Sequence, residues 1–198
     1  MAKIEVQKWK KTIHEIGLSA EHESIIWDFY VSKAIAKTCA QSRTAANYGL
    51  TKLPWNEMLD KAGIIKSNVK ILCANTITKT LKEYDLTITV DGKKEGLPQP
   101  IDIDTPRIVC LTPYTISDED APTAKVGEAE SVLTHIRNAF AHGGTYFFDN
   151  GNMLLEDKDR GVITARIIIK VETLLDWIGL IDKTHKYYTI TSMVKEVA

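Results

Sequence analysis

Three side chains in one short segment, Arg137, Asn138 and His142, have the chemistry for work on a phosphate group. A guanidinium carries a permanent positive charge and binds phosphate oxygens through parallel hydrogen bonds. An imidazole takes up and releases protons near neutral pH, and a carboxamide both donates and accepts hydrogen bonds. Together they favour acid–base chemistry on a phosphodiester without a metal ion.

The segment that carries these residues is predicted to be an amphipathic helix over 128–142. Its apolar residues recur at helical spacing: Val132, Leu133, Ile136 and Phe140. Gly143 follows His142, and glycine is the residue type that commonly ends a helix in the left-handed conformation. The three polar residues therefore lie off the apolar face, near the end of the helix.

The spacing of Arg137 and His142 does not by itself bring them together. On an ideal helix, residues five apart are rotated by about 140° and separated by roughly 7.5 Å along the axis. Either fraying at Gly143 turns His142 toward Arg137, or two copies of the helix pair about a two-fold axis and form one cleft.

Arg137, Asn138 directly after it and His142 after four intervening residues together resemble the signature of the HEPN superfamily. The resemblance covers this helix and the two elements that follow it. It implies a helical, usually dimeric domain, and so favours the paired arrangement. Many members are metal-independent ribonucleases of toxin–antitoxin or antiphage systems, so the resemblance also implies an RNA substrate and a partner protein that restrains the enzyme.

The implied reaction is attack by the RNA 2′-hydroxyl, which leaves a 2′,3′-cyclic phosphate and a 5′-hydroxyl. It needs a base for the attacking hydroxyl and an acid for the leaving oxygen, and two copies of His142 supply both. Arg137 neutralises the charge that develops on the phosphorane oxygens. Arg137 and His142 are thus the expected catalytic residues, Asn138 is a supporting or RNA-binding residue, and no metal or cofactor is expected.

The same residues are also consistent with a protein that has no catalytic activity. A histidine in the last helical turn is stabilised when protonated, because the carbonyl end of a helix is negative, and Arg137 then serves as a surface cation. The alternative hypothesis is a catalytically silent helical dimer that binds a nucleotide, RNA or another protein. His135 lies two residues before Arg137 on a different face, and is expected to be a bystander or a dimer contact.

Composition indicates one globular domain over 1–198, because 44% of the 198 residues are hydrophobic and 26% are charged. With a net charge of -1, the chain lacks the basic excess of proteins that bind nucleic acid non-specifically. Any contact with RNA must therefore come from a local basic patch. The three cysteines, Cys39, Cys73 and Cys110, have no metal-ligand spacing and are expected to be reduced thiols. The charged N-terminal residues and the lack of an apolar run of about 20 residues favour a cytoplasmic protein without membrane contact.

The predicted fold class is mainly α: a HEPN-like helical bundle with a small antiparallel β-hairpin or meander and an irregular Pro-rich insertion. The insertion is placed at 85–125, because five of the six prolines fall there, and the meander at 145–169, where Asn150-Gly151 is a hairpin signal. Trp27 and Tyr30 lie at helical spacing and are expected to pack rather than stack on bases. The remaining predicted elements are helices at 1–17, 20–47, 55–62, 68–84 and 170–181, strands at 86–90 and 107–111, and a solvated acidic loop at 117–120.

Overall fold

A five-stranded mixed sheet covered by helices organises the part of the chain that the structure describes. The computed structural model describes residues 18–36, 41–83, 102–116, 122–148 and 150–190. The helix predicted at 1–17, the strand at 86–90 and the acidic loop at 117–120 lie outside these ranges. None of the described helices is long and apolar enough to cross a membrane.

The sheet has the strand order β1-β2-β7-β6-β5, and β3 pairs with β4 in a separate two-stranded sheet. The strands are β1 Val69–Leu72, β2 Arg107–Leu111, β3 Tyr114–Thr115, β4 Thr123–Ala124, β5 Thr145–Phe147, β6 Asn152–Asp159 and β7 Val162–Lys170. β1 and β2 pair in parallel, whereas the other neighbours are antiparallel. The register of β6 against β7 shifts between Asp157 and Lys158, which marks an irregularity beside the site described below.

Helices cover this sheet, and the connections between them include shorter helical turns. The described α-helices are α1 Ala20–Trp27, α2 Trp55–Ala62, α3 Thr78–Glu83, α4 Glu128–Ala141 and α5 Glu172–Ile181. A π-helical turn, Asp28–Ser32, continues α1, and 3-10 turns occupy Ala45–Tyr48 and Lys66–Asn68. Cys73 and Cys110 are free thiols, and Cys39 lies outside the described residues.

The prediction of a mainly α fold was wrong, because the fold is mixed α/β around the sheet. The strands β5, β6 and β7 lie where the sequence predicts a small meander, but they form the larger part of the main sheet. β2 comes from the segment predicted as an insertion, and it has a strand on either side. Pairing between segments distant in sequence decides these roles, and no local pattern reports it.

Two predicted helices were also wrong in extent. The segment 68–84 splits into β1 and α3, because β1 gains the ladder of hydrogen bonds to β2 that a helix would forgo. A short apolar run such as 69–72 fits a strand and a buried helical turn equally well. The helix predicted at 20–47 ends with the π-helical turn at Ser32, after which Ala34, Ile35 and Ala36 are buried in irregular backbone.

The sheet separates two clusters of buried apolar side chains. On one face, Ile108, Leu155 and Ile167 pack with α1, α2, α4 and α5 in the larger cluster. On the other face, Val109, Leu154 and Ile168 pack in the smaller cluster with Ile77, Leu81, Ile103 and Phe148. Because α4 lies on the larger-cluster side, its polar edge runs past the ends of β2 and β6.

Candidate functional site

The helix α4 is fixed at both ends by its own sequence. At its start, the Gly127 amide donates a 2.6 Å hydrogen bond to Glu130 Oε2, which satisfies a backbone donor at the helix N-terminus. At its end, Gly143 has a φ of 72°, and the Gly144 amide donates to the Ala139 carbonyl at 2.8 Å. The backbone of α4 is therefore capped at both ends.

One side of α4 is buried and the adjacent side carries a polar stripe. The buried side includes Val132, Leu133, Ile136 and Ala139, each of which is at most 2% exposed. Polar residues recur on the adjacent side at spacings of three and four: Glu130, Ser131, Thr134, His135 and Asn138. Residues at these spacings share one face of a helix, so the stripe lines a single surface.

His135 is the best-anchored member of this polar stripe. Its Nδ1 lies 2.7 Å from Asp157 Oδ2, and its Nε2 lies 2.7 Å from the Leu111 carbonyl oxygen. The side chains of His135 and Asp157 are only 11% and 6% exposed. Each ring nitrogen therefore faces an oxygen that accepts hydrogen bonds, one on β6 and one at the end of β2.

A series of hydrogen bonds, called here the hydrogen-bond chain, extends from His135 through Asp157 and Asn138 to Arg137. Asn138 Nδ2 donates to Asp157 Oδ2 at 3.0 Å, and Arg137 Nη1 donates to Asn138 Oδ1 at 3.1 Å. Burial acts to raise the pKa of Asp157, but hydrogen bonds from His135 and Asn138 outweigh it and lower the pKa below the ordinary value of 3.8. Asp157 is therefore a stable carboxylate at the centre of the chain.

The predicted site residues are only partly brought together. Arg137 and Asn138 are hydrogen-bonded to each other, while His142 is exposed at the C-terminal end of α4 with non-helical backbone angles. No hydrogen bond joins Arg137 to His142 among the described residues. The Arg137 Nε is buried without a hydrogen-bond partner. The structure thus places the arginine in a fixed network and the histidine outside it.

Sequence reasoning missed His135 and Asp157. His135 was expected to be a bystander or a dimer contact, but it anchors the hydrogen-bond chain. The spacing of Ser131, His135 and Asn138 does signal a polar face on the helix. Nothing local marks Asp157 as their partner, because β6 reaches α4 only through the fold.

A cleft of about 1060 Å³ lies along the polar stripe, and is called here the α4 cleft. His135, Asn138 and Asp157 line it, but Arg137 and His142 do not. A second cavity of about 710 Å³, the Trp27 pocket, is lined by Trp27, Phe140 and Gly143 among others. The α4 cleft thus follows the helix as far as Asn138, and the Trp27 pocket lies at its end, at Phe140 and Gly143.

The aromatic residues of the first helical segment have different surroundings. Tyr30 is 1% exposed and donates from its hydroxyl to the Leu174 carbonyl at 2.8 Å, in keeping with the packing role predicted for it. Trp27 is 54% exposed at the Trp27 pocket, so it is not packed in the core of this chain.

Within the described ranges, no group of three His, Cys, Asp or Glu side chains is arranged to hold a metal ion. Comparisons of the chain with protein-family models, with curated proteins and with solved structures found no match. The function must therefore be argued from the site itself.

Proposed function

We propose that this protein is a metal-independent endoribonuclease. It cleaves RNA by attack of the 2′-hydroxyl and leaves 2′,3′-cyclic phosphate ends, in a toxin–antitoxin or antiphage setting. Arg137 and His142 are the catalytic residues in this proposal. The resemblance of Arg137, Asn138 and His142 to the HEPN signature supports it, although the mixed α/β fold is not the helical bundle that the resemblance implies.

The observation that carries the proposal is the hydrogen-bond chain. A mobile surface arginine loses side-chain entropy when it binds a phosphate, whereas Arg137 is already held by Asn138. Asn138 is in turn held by Asp157, and Asp157 by His135. Such a preorganised cation stabilises charge that develops on phosphorane oxygens without reorganising during the reaction.

His142 has the properties of an accessible acid–base group. It is exposed just after the last turn of α4, and no described residue hydrogen-bonds to its ring. The homodimer that we propose supplies a second His142, so that one ring takes the proton of the 2′-hydroxyl and the other protonates the leaving oxygen. An antitoxin or other regulatory protein restrains the enzyme in the proposed setting.

Trp27 supports RNA as the substrate of this helix end. Its exposed ring lines the Trp27 pocket together with Phe140 and Gly143, the residue after His142. Unpaired bases stack on exposed aromatic rings, and this contact is available in single-stranded RNA but not in a continuous duplex.

A second candidate function is a binding module for a nucleotide, RNA or protein without catalysis. The observation that favours it is the composition of the α4 cleft, which is the larger cavity and contains neither Arg137 nor His142. Its histidine, His135, has both ring nitrogens engaged by the protein and cannot take a proton from a substrate without breaking a hydrogen bond.

Cleavage of a mixed RNA pool in EDTA separates the two functions. We expect wild type to cut and to leave 2′,3′-cyclic phosphate ends, identified by mass spectrometry of the products. His142→Ala and Arg137→Ala should each lower the rate by at least about 100-fold, because each removes a group that acts in the transition state. The dimer dissociation constant can be measured by sedimentation. The activity per chain should fall when the protein is diluted below that constant, because the proposed site needs His142 from both copies.

Lys61→Ala is the matched control, because Lys61 is an exposed cation on α2, away from both cavities. It should cut at the wild-type rate. Equal cutting by His142→Ala and wild type, with both folded, contradicts the catalytic assignment. An inactive wild type that still binds RNA supports the binding module instead.

A further inference from the structure

The α4 cleft is lined by three cations, Arg43, Lys125 and Arg160, and by three carboxylates, Glu130, Asp157 and Asp159. Two of its cations, Lys125 and Arg160, form no ion pair with any described residue, and Arg43 hydrogen-bonds to tyrosine hydroxyls rather than to a carboxylate. The carboxylates are mostly engaged: Asp157 faces His135, and Glu130 accepts from the Gly127 amide.

Arg43 is held in place at one wall of the cleft. Its guanidinium lies 3.7 Å from the centre of the Tyr187 ring and donates to the Tyr188 hydroxyl at 2.7 Å. The Tyr188 hydroxyl donates in turn to Asp28 Oδ2 at 2.9 Å. Arg43 is therefore held near the Asp28 carboxylate, whereas Lys125 and Arg160 are exposed and can close on an anion.

The remaining walls are apolar, with a few hydroxyl groups among them. Ile35, Leu111 and Val126 supply apolar surface, and the hydroxyls of Thr112 and Ser131 lie 2.5 Å apart at the cleft. Pockets with mostly apolar walls and a few placed polar groups are typical of small-ligand sites, and a volume of about 1060 Å³ holds a nucleotide-sized molecule.

We propose that the α4 cleft binds a nucleoside phosphate, either free or as the terminal residue of an RNA. Lys125 and Arg160 contact the phosphate, and the nucleoside lies against the apolar wall. The unpaired cations favour an anionic group, and a cleft of about 1060 Å³ with apolar walls favours a body larger than inorganic phosphate. This binding does not depend on the cleavage proposed above, because neither Arg137 nor His142 lines the cleft.

Isothermal titration of the full chain with AMP, adenosine, inorganic phosphate and a short 3′-phosphorylated oligoribonucleotide tests the proposal. AMP should bind more tightly than adenosine and than phosphate, each by about tenfold or more, because each lacks half of the recognised structure. Tighter binding of the oligoribonucleotide than of AMP identifies an RNA end as the ligand, and the reverse order identifies a free nucleotide.

Variants of the cleft test which residues recognise the phosphate. Lys125→Ala with Arg160→Ala should weaken AMP binding by about tenfold or more, whereas Lys61→Ala should leave it unchanged. Asp159→Asn should tighten it, because Asp159 places a negative charge at the same cleft. Thermal melting confirms that each variant is folded.

Three results overturn the proposal: no heat of binding for AMP up to about 5 mM, equal affinity for adenosine and AMP, or wild-type affinity in the folded double variant. RNA cleavage in the absence of AMP binding rejects the nucleotide site and leaves the ribonuclease proposal standing. AMP binding by a protein that cuts no RNA supports the nucleotide site and rejects the ribonuclease proposal.

Discussion

Replacing Asp157 with asparagine removes one charge from the centre of the hydrogen-bond chain without changing the volume of the side chain. In wild type, Asp157 Oδ2 accepts from His135 Nδ1 at 2.7 Å and from Asn138 Nδ2 at 3.0 Å. The carboxamide of asparagine still offers one oxygen to these donors, but it carries no negative charge.

The expected cost follows from these contacts. A hydrogen bond to a charged group contributes about 1.5–3 kcal/mol and a neutral one about 0.5–1.5 kcal/mol, so two weakened bonds cost about 2 kcal/mol. We therefore expect Asp157→Asn to lower the free energy of unfolding by about 2 kcal/mol at neutral pH.

The pH dependence of the free energy of unfolding tests independently whether the charge of Asp157 is stabilising. The pKa of Asp157 is lower in the folded protein than its ordinary value of 3.8, despite the opposing effect of burial, because of the hydrogen bonds it accepts. Its contribution to stability is therefore present above about pH 4 and is lost as the pH falls through the folded-state pKa. The difference between wild type and Asp157→Asn should shrink below about pH 4.

Urea denaturation followed by circular dichroism measures both effects. With a slope of about 2 kcal/mol per molar urea, the midpoint should fall by about 1 M with an unchanged slope. Asp159→Asn, an exposed carboxylate two residues later on β6, is the control and should change stability by less than about 0.5 kcal/mol. A loss below about 1 kcal/mol in Asp157→Asn, or the same loss at pH 3 and pH 7, refutes the reasoning.

Two further stability predictions follow from the structure. Gly144→Ala should lower the free energy of unfolding in urea by at least about 3 kcal/mol, because the added Cβ overlaps the backbone carbonyl oxygen of Glu156. Gly179→Ala in α5 meets only an ordinary van der Waals contact and should raise that free energy by up to about 1 kcal/mol. Equal effects of the two changes contradict this account. Glu156→Ala should cost about 3–5 kcal/mol, because it leaves the fully buried Arg166, which donates to Glu156 Oε2 at 2.7 Å, without a counter-charge. The double change Glu156→Leu with Arg166→Met should recover most of this loss in the same assay, and a double variant as unstable as the single one argues against the ion-pair explanation.

The sequence could indicate the location of the motif helix and its end. The spacing of Val132, Leu133, Ile136 and Phe140 is local information, and so is the glycine that ends the helix at 143. The observed helix, Glu128–Ala141, ends one residue before the predicted bound, and Gly143 is left-handed. Helix ends depend on interactions within a few residues, and a single chain segment contains all of them.

The strands of the main sheet could not be predicted from local sequence in the same way. The segment 69–72 fits a buried helical turn or a strand by its pattern, and only the parallel partner β2, nearly forty residues away, makes it a strand. The bundle predicted from the helical segments failed for this reason. The energy that decides between the two structures comes from pairing across the sheet, not from the segment itself.

The candidate site shows the same division. The sequence by itself indicated that His135, Arg137 and Asn138 lie on the last two turns of one helix, because helical periodicity fixes their directions, and that His142 lies at the end of that helix. Only the tertiary structure decided that His135, rather than His142, meets a carboxylate. Asp157 reaches it from β6 across 22 residues of chain, at the point where the sheet register shifts. Contacts of this kind depend on how the helix is packed on the sheet, and that packing is a property of the whole fold.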